Sequence, residues 1–299
     1  MGIINQSIVK LFPLVPRKIV RRFANKYIAG DKLSDAIELG KRLNDKGIMG
    51  TMDVLGENIS TREEAVAARN EVIEVIEAIE KNRIGSNVSV KLTQMGLKLD
   101  LEFCLRNLEE IMSAAKKYNQ FVRVDMEDSS CTDDTIRTFL AGRNYYPNCG
   151  IVLQACLRRT YADAKELLRT NTNFRLCKGI YIEPVEIAYR KKNEVNENYM
   201  KVLRLMLENG SYVGIATHDD KLVEGAYQLL DELKKKKDEY EFQMLLGVKE
   251  NLRDRIVKDG HRLRVYIPFG EQWYAYSTRR FKENPQVISY VIKSILTRN

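Results

Sequence analysis

Histidine is scarce: the 299 residues contain two, His218 and His261. A His-rich metal centre is therefore not expected. The five cysteines, Cys104, Cys131, Cys149, Cys156 and Cys177, are scattered, odd in number and form no C-x-x-C pair. That argues against a zinc site and for reduced thiols in a cytoplasmic setting. No apolar run reaches the ~18 residues that would suggest a membrane span. Lys10, Pro13, Pro16 and Arg17 interrupt the N-terminal apolar stretches early, so no cleavable signal is expected. Neither G-x-G-x-x-G nor G-x-x-x-x-G-K followed by Ser or Thr occurs, so a bound dinucleotide would not be held by a Rossmann loop or a phosphate loop. A G-x-S-x-G elbow is also missing. No long linker, low-complexity stretch or sequence repeat divides the chain.

What remains is the balance of a soluble globular enzyme, with 44% apolar and 30% charged residues. The length exceeds the ~250 residues of a single α/β barrel and can bury a large core without a disulfide or metal staple. The net charge of +8 suits nucleic acid, an anionic membrane surface or an acidic substrate. No nucleic-acid motif accompanies it, so nucleic acid is not expected as a partner. The lysine run at 234–237 reads as a solvated helix end.

Eight apolar, β-branched runs recur, at 51–57, 88–92, 121–127, 150–155, 174–179, 212–218, 242–247 and 262–267. Amphipathic helices lie between them. In 62–81, Ala65, Ala68, Val72, Val75, Ile76 and Ile79 share one stripe, and in 196–207 Tyr199, Val202, Leu203 and Met206 do so. Strands alternating with helices imply parallel pairing through right-handed crossovers. Eight units predict an α/β fold of the (β/α)8 TIM-barrel type, with an open doubly wound sheet as the alternative. Residues 1–47 read as an N-terminal helical arm, with helices at about 4–29 and 33–45 covering the bottom of the barrel. Residues 48–299 form the barrel itself.

The active site of such a barrel lies at the C-terminal strand ends. Polar residues are dense there: Asp53, Lys91, Asp125, Glu127, Gln154, Arg175, Lys178, Thr217, His218 and Tyr266. A lysine at the end of a buried strand needs a partner, and for Lys91 the candidates are Asp125 and Glu127, either as an internal pair or together with a substrate carboxylate. Asp125 and Glu127 stand two apart on a strand and should point to one side. A glycosidase pair is the alternative use, but the surrounding cations suit an anionic ligand better. Gln154, Thr217 and His218 have structural readings as strand-end caps or rim residues. Beyond the last strand, Tyr276, Arg279, Arg280 and Glu283 share one helix face. Paired guanidinium forks there would grip and orient a carboxylate.

In chain order, Val54-Leu55-Gly56-Glu57, Ser89-Val90-Lys91-Leu92-Thr93, Arg123-Val124-Asp125-Met126-Glu127, Leu153-Gln154-Ala155, Arg175-Leu176-Cys177-Lys178-Gly179-Ile180-Tyr181, Ala216-Thr217-His218, Met244-Leu245-Leu246-Gly247 and the segment 266–283 together resemble the proline dehydrogenase family. The resemblance implies a distorted (β/α)8 barrel with a C-terminal helix over its mouth, carrying FAD. It implies that Lys91, Arg279 and Arg280 bind the carboxylate of L-proline. Tyr266, Tyr276 and Leu245 wall the ring with Tyr181 nearby, and Glu283 orients the arginines. Asp125 and Arg175 form the catalytic polar pair. Met126, Gln154, Arg175, Lys178, Gly179, Ile180, Thr217 and His218 contact FAD. The sequence departs from the family at Ile180, Cys156 and Ile182, where alanine, tyrosine and tryptophan are usual.

The implied reaction oxidises L-proline, with hydroxyproline a possible second substrate, to pyrroline-5-carboxylate, and passes electrons to a quinone acceptor. The hydrolysed product would need a separate enzyme downstream. A cytoplasmic location with peripheral membrane contact is expected through the basic N-terminal segment, where Lys10, Arg17, Lys18, Arg21, Arg22 and Lys26 lie among apolar residues. Three alternatives remain at this point: another flavin barrel resembling methylenetetrahydrofolate reductase, a Schiff-base aldolase using Lys91 or Lys178, and a non-enzymatic basic binding protein.

Overall fold

The structure, a computed structural model, describes residues 20, 21, 24–56, 59–274 and 276–278. A helix α1 (Leu33–Asn44) precedes the first strand. Eight strands then follow: β1 (Met49–Val54), β2 (Ser86–Val90), β3 (Val122–Val124), β4 (Cys149–Gln154), β5 (Asn173–Cys177), β6 (Val213–Ala216), β7 (Tyr240–Leu245) and β8 (Leu263–Phe269). The α-helices between successive strands are α2 (Arg62–Asn82), α3 (Leu101–Lys117), α4 (Thr132–Tyr145), α5 (Thr160–Leu167), α6 (Lys192–Glu208), α7 (Asp220–Glu232) and α8 (Glu250–Lys258). All strands are parallel, each pairs with its sequence neighbour, and β1 pairs with β8 from Met49↔Arg264 to Val54↔Phe269. That last pairing closes the barrel and excludes the open sheet.

The helices form where sequence supplies both an apolar stripe and a start signal. In α2 the Thr61 hydroxyl accepts from the Glu64 N–H at 3.2 Å and the Glu64 carboxylate accepts from the Thr61 N–H at 3.1 Å. This reciprocal box satisfies two otherwise orphaned donors. Ala65, Val72, Val75, Ile76 and Ile79 of α2 are buried against the barrel, and Ala68 is half-buried beside them.

The N-terminal arm lies differently from the expectation that it covers the bottom. Helix α1 packs along the side of the barrel against β1 and β8. At its lower end the Gly85 N–H donates to Asn44 Oδ1 at 2.6 Å. Its preceding residues reach the opposite end: the Ala29 N–H donates to the Pro268 carbonyl at 2.8 Å, and the Gly270 N–H to the Gly30 carbonyl at 3.0 Å. Most of the first expected helix, 4–29, is outside the described residues. Of its described part, Val20 and Tyr27 are buried, and Arg21 pairs with Asp31 and stacks 4.7 Å from the Trp273 ring.

Strand alternation separates two environments. Outward residues such as Met52, Val90, Ile151, Phe174, Ile215, Phe242 and Val265 are buried beneath the helices. The inward set is mostly polar, where barrels usually carry branched apolar side chains. Contacts between non-neighbouring strands establish its direction, since Arg175 of β5 reaches Ser89 of β2 at 3.1 Å. On the floor, Arg264 Nε donates to Glu241 Oε1 at 2.6 Å. Arg123 donates to the carbonyls of Ile151 and Asn173 at 3.2 and 3.0 Å. Burial pushes the Arg123 guanidinium down to about 9. Gly150 leaves the room it needs, because a Cβ there would lie 2.4 Å from Arg123 Nη1.

Candidate active site

The C-terminal strand ends surround a cavity of about 770 Å³. At its base, side chains from five strands meet. Asp125, just beyond β3, accepts at Oδ1 from Arg175 Nη1 at 2.7 Å and from the Ser89 hydroxyl at 3.0 Å. At Oδ2 it accepts from the Tyr266 hydroxyl at 2.8 Å. Burial, then the nearby charges of Asp125 and Asp53, push the Tyr266 phenol well above its ordinary value. Tyr266 therefore stays protonated and acts as a donor to the carboxylate. Lys91 Nζ lies 2.5 Å from Asp53 Oδ1 and 3.4 Å from the Tyr266 oxygen. The Arg175 guanidinium stacks 5.3 Å from the Tyr266 ring. Charges buried this deeply are tolerable because each is paired and hydrogen-bonded. The result is a fixed base of two ion pairs and one neutral phenol, in which Lys91 and Arg175 keep further N–H groups that can meet an anionic ligand.

The rim carries a second group. Asp219 accepts from Lys178 Nζ at 2.7 Å and pairs with Lys192 at 3.1 Å. Burial would raise the Asp219 carboxyl, but the two lysines outweigh it and hold it well below the usual carboxylate range. The Leu245 N–H donates to His218 Nε2 at 2.8 Å, tying the loop after β6 to β7. Gln154 Nε2 donates to the carbonyls of Met126 and Glu127 at 3.1 and 3.0 Å, while its buried Oε1 has no partner among the described residues. At Gly179, φ is +93° and a Cβ would lie 2.3 Å from Cys156 Sγ, so only glycine fits without displacement. Ile180, Tyr181 and Leu245 line the wall, and Tyr276 lies buried above it.

Most of the anticipated residues thus share one cavity: Lys91, Asp125, Met126, Gln154, Arg175, Lys178, Gly179, Ile180, Tyr181, Thr217, His218, Leu245, Tyr266 and Tyr276 all line it. Lys91 pairs with Asp53 rather than with Asp125 or Glu127. Asp125 and Glu127 do not act as a pair. Strand β3 ends at Val124, alternation lapses there, and Glu127 turns to the backbone and hydroxyl of Thr93 at 3.0 and 2.6 Å. Thr217 and His218 likewise follow the end of β6 at Ala216. Arg279, Arg280 and Glu283 lie outside the described residues, as does Glu57. Sequence reasoning missed Ser89, Gln243 and Glu241, whose side chains meet Arg175 and Arg264 inside the barrel, and Lys26 and Tyr27 on the cavity wall. For the interior residues a signal existed: polar residues at alternate strand positions, Asn87-x-Ser89-x-Lys91 and Glu241-x-Gln243, which place them on the face of Lys91.

A family model described as proline dehydrogenase matches residues 36–292. The chain belongs to the proline dehydrogenase family. It is 38% identical over 272 residues to Proline dehydrogenase 2 of Bacillus subtilis (strain 168), covering 91% of this chain and 90% of that protein. It is 34% identical over 285 residues to Proline dehydrogenase of Deinococcus radiodurans, covering 94% and 92%. Among solved structures it is similar to proline utilization A from Bdellovibrio bacteriovorus inactivated by N-propargylglycine. That match has a TM-score of 0.82 and 27% identity, covers 88% of this chain and 32% of that one, and so spans about a third of the larger protein. Membership of this family makes the chain an enzyme of proline oxidation. The reductase-like, aldolase and non-enzymatic readings give way to it. Both candidate Schiff-base lysines are also engaged in ion pairs.

Proposed function

We propose that this enzyme oxidises L-proline to pyrroline-5-carboxylate with FAD as its cofactor and a quinone as the final acceptor. The observation that carries this reading is the clustering of Lys91, Tyr266, Asp125 and Arg175 at the base of a cavity far larger than one imino acid fills. Lys91, Arg279 and Arg280 take the substrate carboxylate. Tyr266, Tyr276, Leu245 and Tyr181 wall the ring, and Glu283 orients the arginines. Asp125 and Arg175 form the catalytic polar pair. With three donors on its carboxylate, Asp125 orients Arg175 and Tyr266 rather than accepting the substrate's proton.

The wall fits a flavin dinucleotide. Gln154 Oε1 is a buried acceptor open to a ligand N–H, Gly179 brings backbone close to the cavity, and Lys178 and Lys192 give the rim positive charge. Met126, Gln154, Arg175, Lys178, Gly179, Ile180, Thr217 and His218 would hold the cofactor. When bound, FAD supplies the two-electron acceptor for hydride from the ring carbon beside nitrogen, C5. The protein's part is to fix the carboxylate, keep the ring in contact distance and exclude water. Such orientation is a large share of barrier reduction. Loss of hydride from C5, and of the nitrogen proton to solvent, leaves the C=N bond of the product.

Residues 48–299 form the catalytic barrel in this reading, with 1–47 as an arm. The enzyme is cytoplasmic, and the basic N-terminal segment rests on anionic lipid where quinone is available. Among the described residues no helix is long and apolar enough to cross a membrane. Changing Arg279 or Arg280 to Met should weaken proline binding by about 2–4 kcal/mol each while flavin stays bound. Titrating proline into the purified variants checks this, and loss of flavin with unchanged proline affinity would place these residues in the wrong subsite.

A further inference from the structure

We propose that Gln243 is a positioning residue that locks the Arg175 guanidinium beneath the substrate through an amide held between it and the Glu241–Arg264 ion pair. The inference rests on the reading of Arg175 as part of the reacting site. Arg175 is anchored at two edges. Nη1 meets Asp125 and Ser89, and Nε donates to Gln243 Oε1 at 2.5 Å. A planar guanidinium held only at Nη1 can pivot about that contact, and the second anchor at Nε removes the freedom.

An amide can present either end to its neighbours. Here both neighbours fix it: the Arg175 Nε–H can only donate and so takes the amide oxygen. Gln243 Nε2 donates to Glu241 Oε1 at 2.6 Å, and a carboxylate can only accept. Glu241 also accepts from Arg264 Nε at 2.6 Å and from the Tyr212 hydroxyl at 2.9 Å. Burial alone would raise the Glu241 carboxyl, but the Arg264 guanidinium and these hydrogen bonds hold it at about 2. It is therefore charged at any working pH, and Gln243 is left with its oxygen toward Arg175. Opposite lies Gly214, where a Cβ would come within 2.4 Å of Gln243 Nε2. The strand thus leaves the amide its seat. Glu241 and Gln243 are both buried, and their chain of contacts runs from the barrel floor to Arg175.

A purely structural glutamine would affect stability and leave the guanidinium's behaviour alone. The test uses the flavin-loaded full chain, with Gln243→Met and Arg175→Met made singly and together. Gln243→Met is expected to lower kcat about tenfold, with KM for proline changed by less than about threefold, because Lys91 and Tyr266 keep their contacts. The double variant should be no slower than Arg175→Met alone; losses that multiply would overturn the proposal. A readout independent of turnover is the ¹⁵N–¹H resonance of Arg175 Nε, assigned by its loss in Arg175→Met. It should be protected from water exchange, lose that protection in Gln243→Met and shift in Glu241→Gln. An unmoved resonance in both refutes the assignment. If Gln243→Met does not fold, Gly214→Ala displaces the amide without deleting a partner and should give the same kcat and resonance changes; retention of both counts against the idea. A protein that fails to oxidise proline at all contradicts the proposed function but leaves the resonance test standing.

Discussion

Asp53, Lys91, Tyr266, Asp125 and Arg175 form one hydrogen-bonded chain across the barrel mouth, and each residue limits what the next can do. The membership of this set was legible in the sequence, because polar side chains at buried strand ends demand a use. Its pairings were not. Which carboxylate meets Lys91 depends on how β1, β2 and β3 stand relative to one another, and Asp53 of β1 proves to be nearer than either residue after β3. Tyr276 shows the same division: a helix face placed it near the clamp, and the structure buries it on the cavity wall. If it walls the proline ring, Tyr276→Ser opens room at the fourth ring carbon and raises the ratio of hydroxyproline to proline turnover. Comparing kcat/KM for the two substrates checks this, and an unchanged ratio would move Tyr276 away from the ring.

At the scale of elements, eight strands and the helices between them were visible as β-branched runs and apolar stripes. Their ends were less so. The run at 121–127 keeps strand chemistry for seven residues, yet only Val122–Val124 pair as strand, and beyond them the Gln154 side-chain amide takes the Met126 and Glu127 carbonyls. The arm was misplaced for a related reason. An amphipathic stripe says that α1 packs on something, without saying where, and the free surface beside β1 and β8 is what takes it. Of the three positions named as departures from the family pattern, Ile180 and Ile182 follow β5 and Cys156 follows β4. Cys156 packs under Gly179, whereas Ile180 and Ile182 are 51% and 89% exposed. Gly179→Ala should cost about 1–3 kcal/mol, from the strained φ and the approach to Cys156, and should speed flavin release. Urea unfolding and flavin retention measure the two, and a variant matching the parent in both would mean that this loop does not cradle the cofactor.

For the whole molecule, the number and order of strands implied closure, and the β1–β8 pairing realises it. The polar interior is legible only along whole inward faces, as in Asn87-x-Ser89-x-Lys91 and Glu241-x-Gln243, and not from strand ends alone. That interior joins a charged floor to a charged mouth, so the barrel is framework and site at once. The net charge of +8 also belongs to this scale. In the described part of the basic arm Val20 and Tyr27 are buried, Arg21 meets Asp31 and Trp273, and Lys26 lines the cavity, which leaves Lys10, Arg17, Lys18 and Arg22 as the proposed lipid contact. Vesicles rich in anionic lipid should carry the full chain upward in flotation and carry less of a chain lacking residues 1–28. Equal flotation rejects that contact.

The most direct test is anaerobic mixing of the purified, flavin-loaded protein with L-proline while the flavin absorbance is followed. Bleaching of the oxidised flavin, saturating with proline and yielding pyrroline-5-carboxylate, is the expected result. A folded protein that takes up no flavin, or whose flavin stays oxidised in excess proline, would contradict the account.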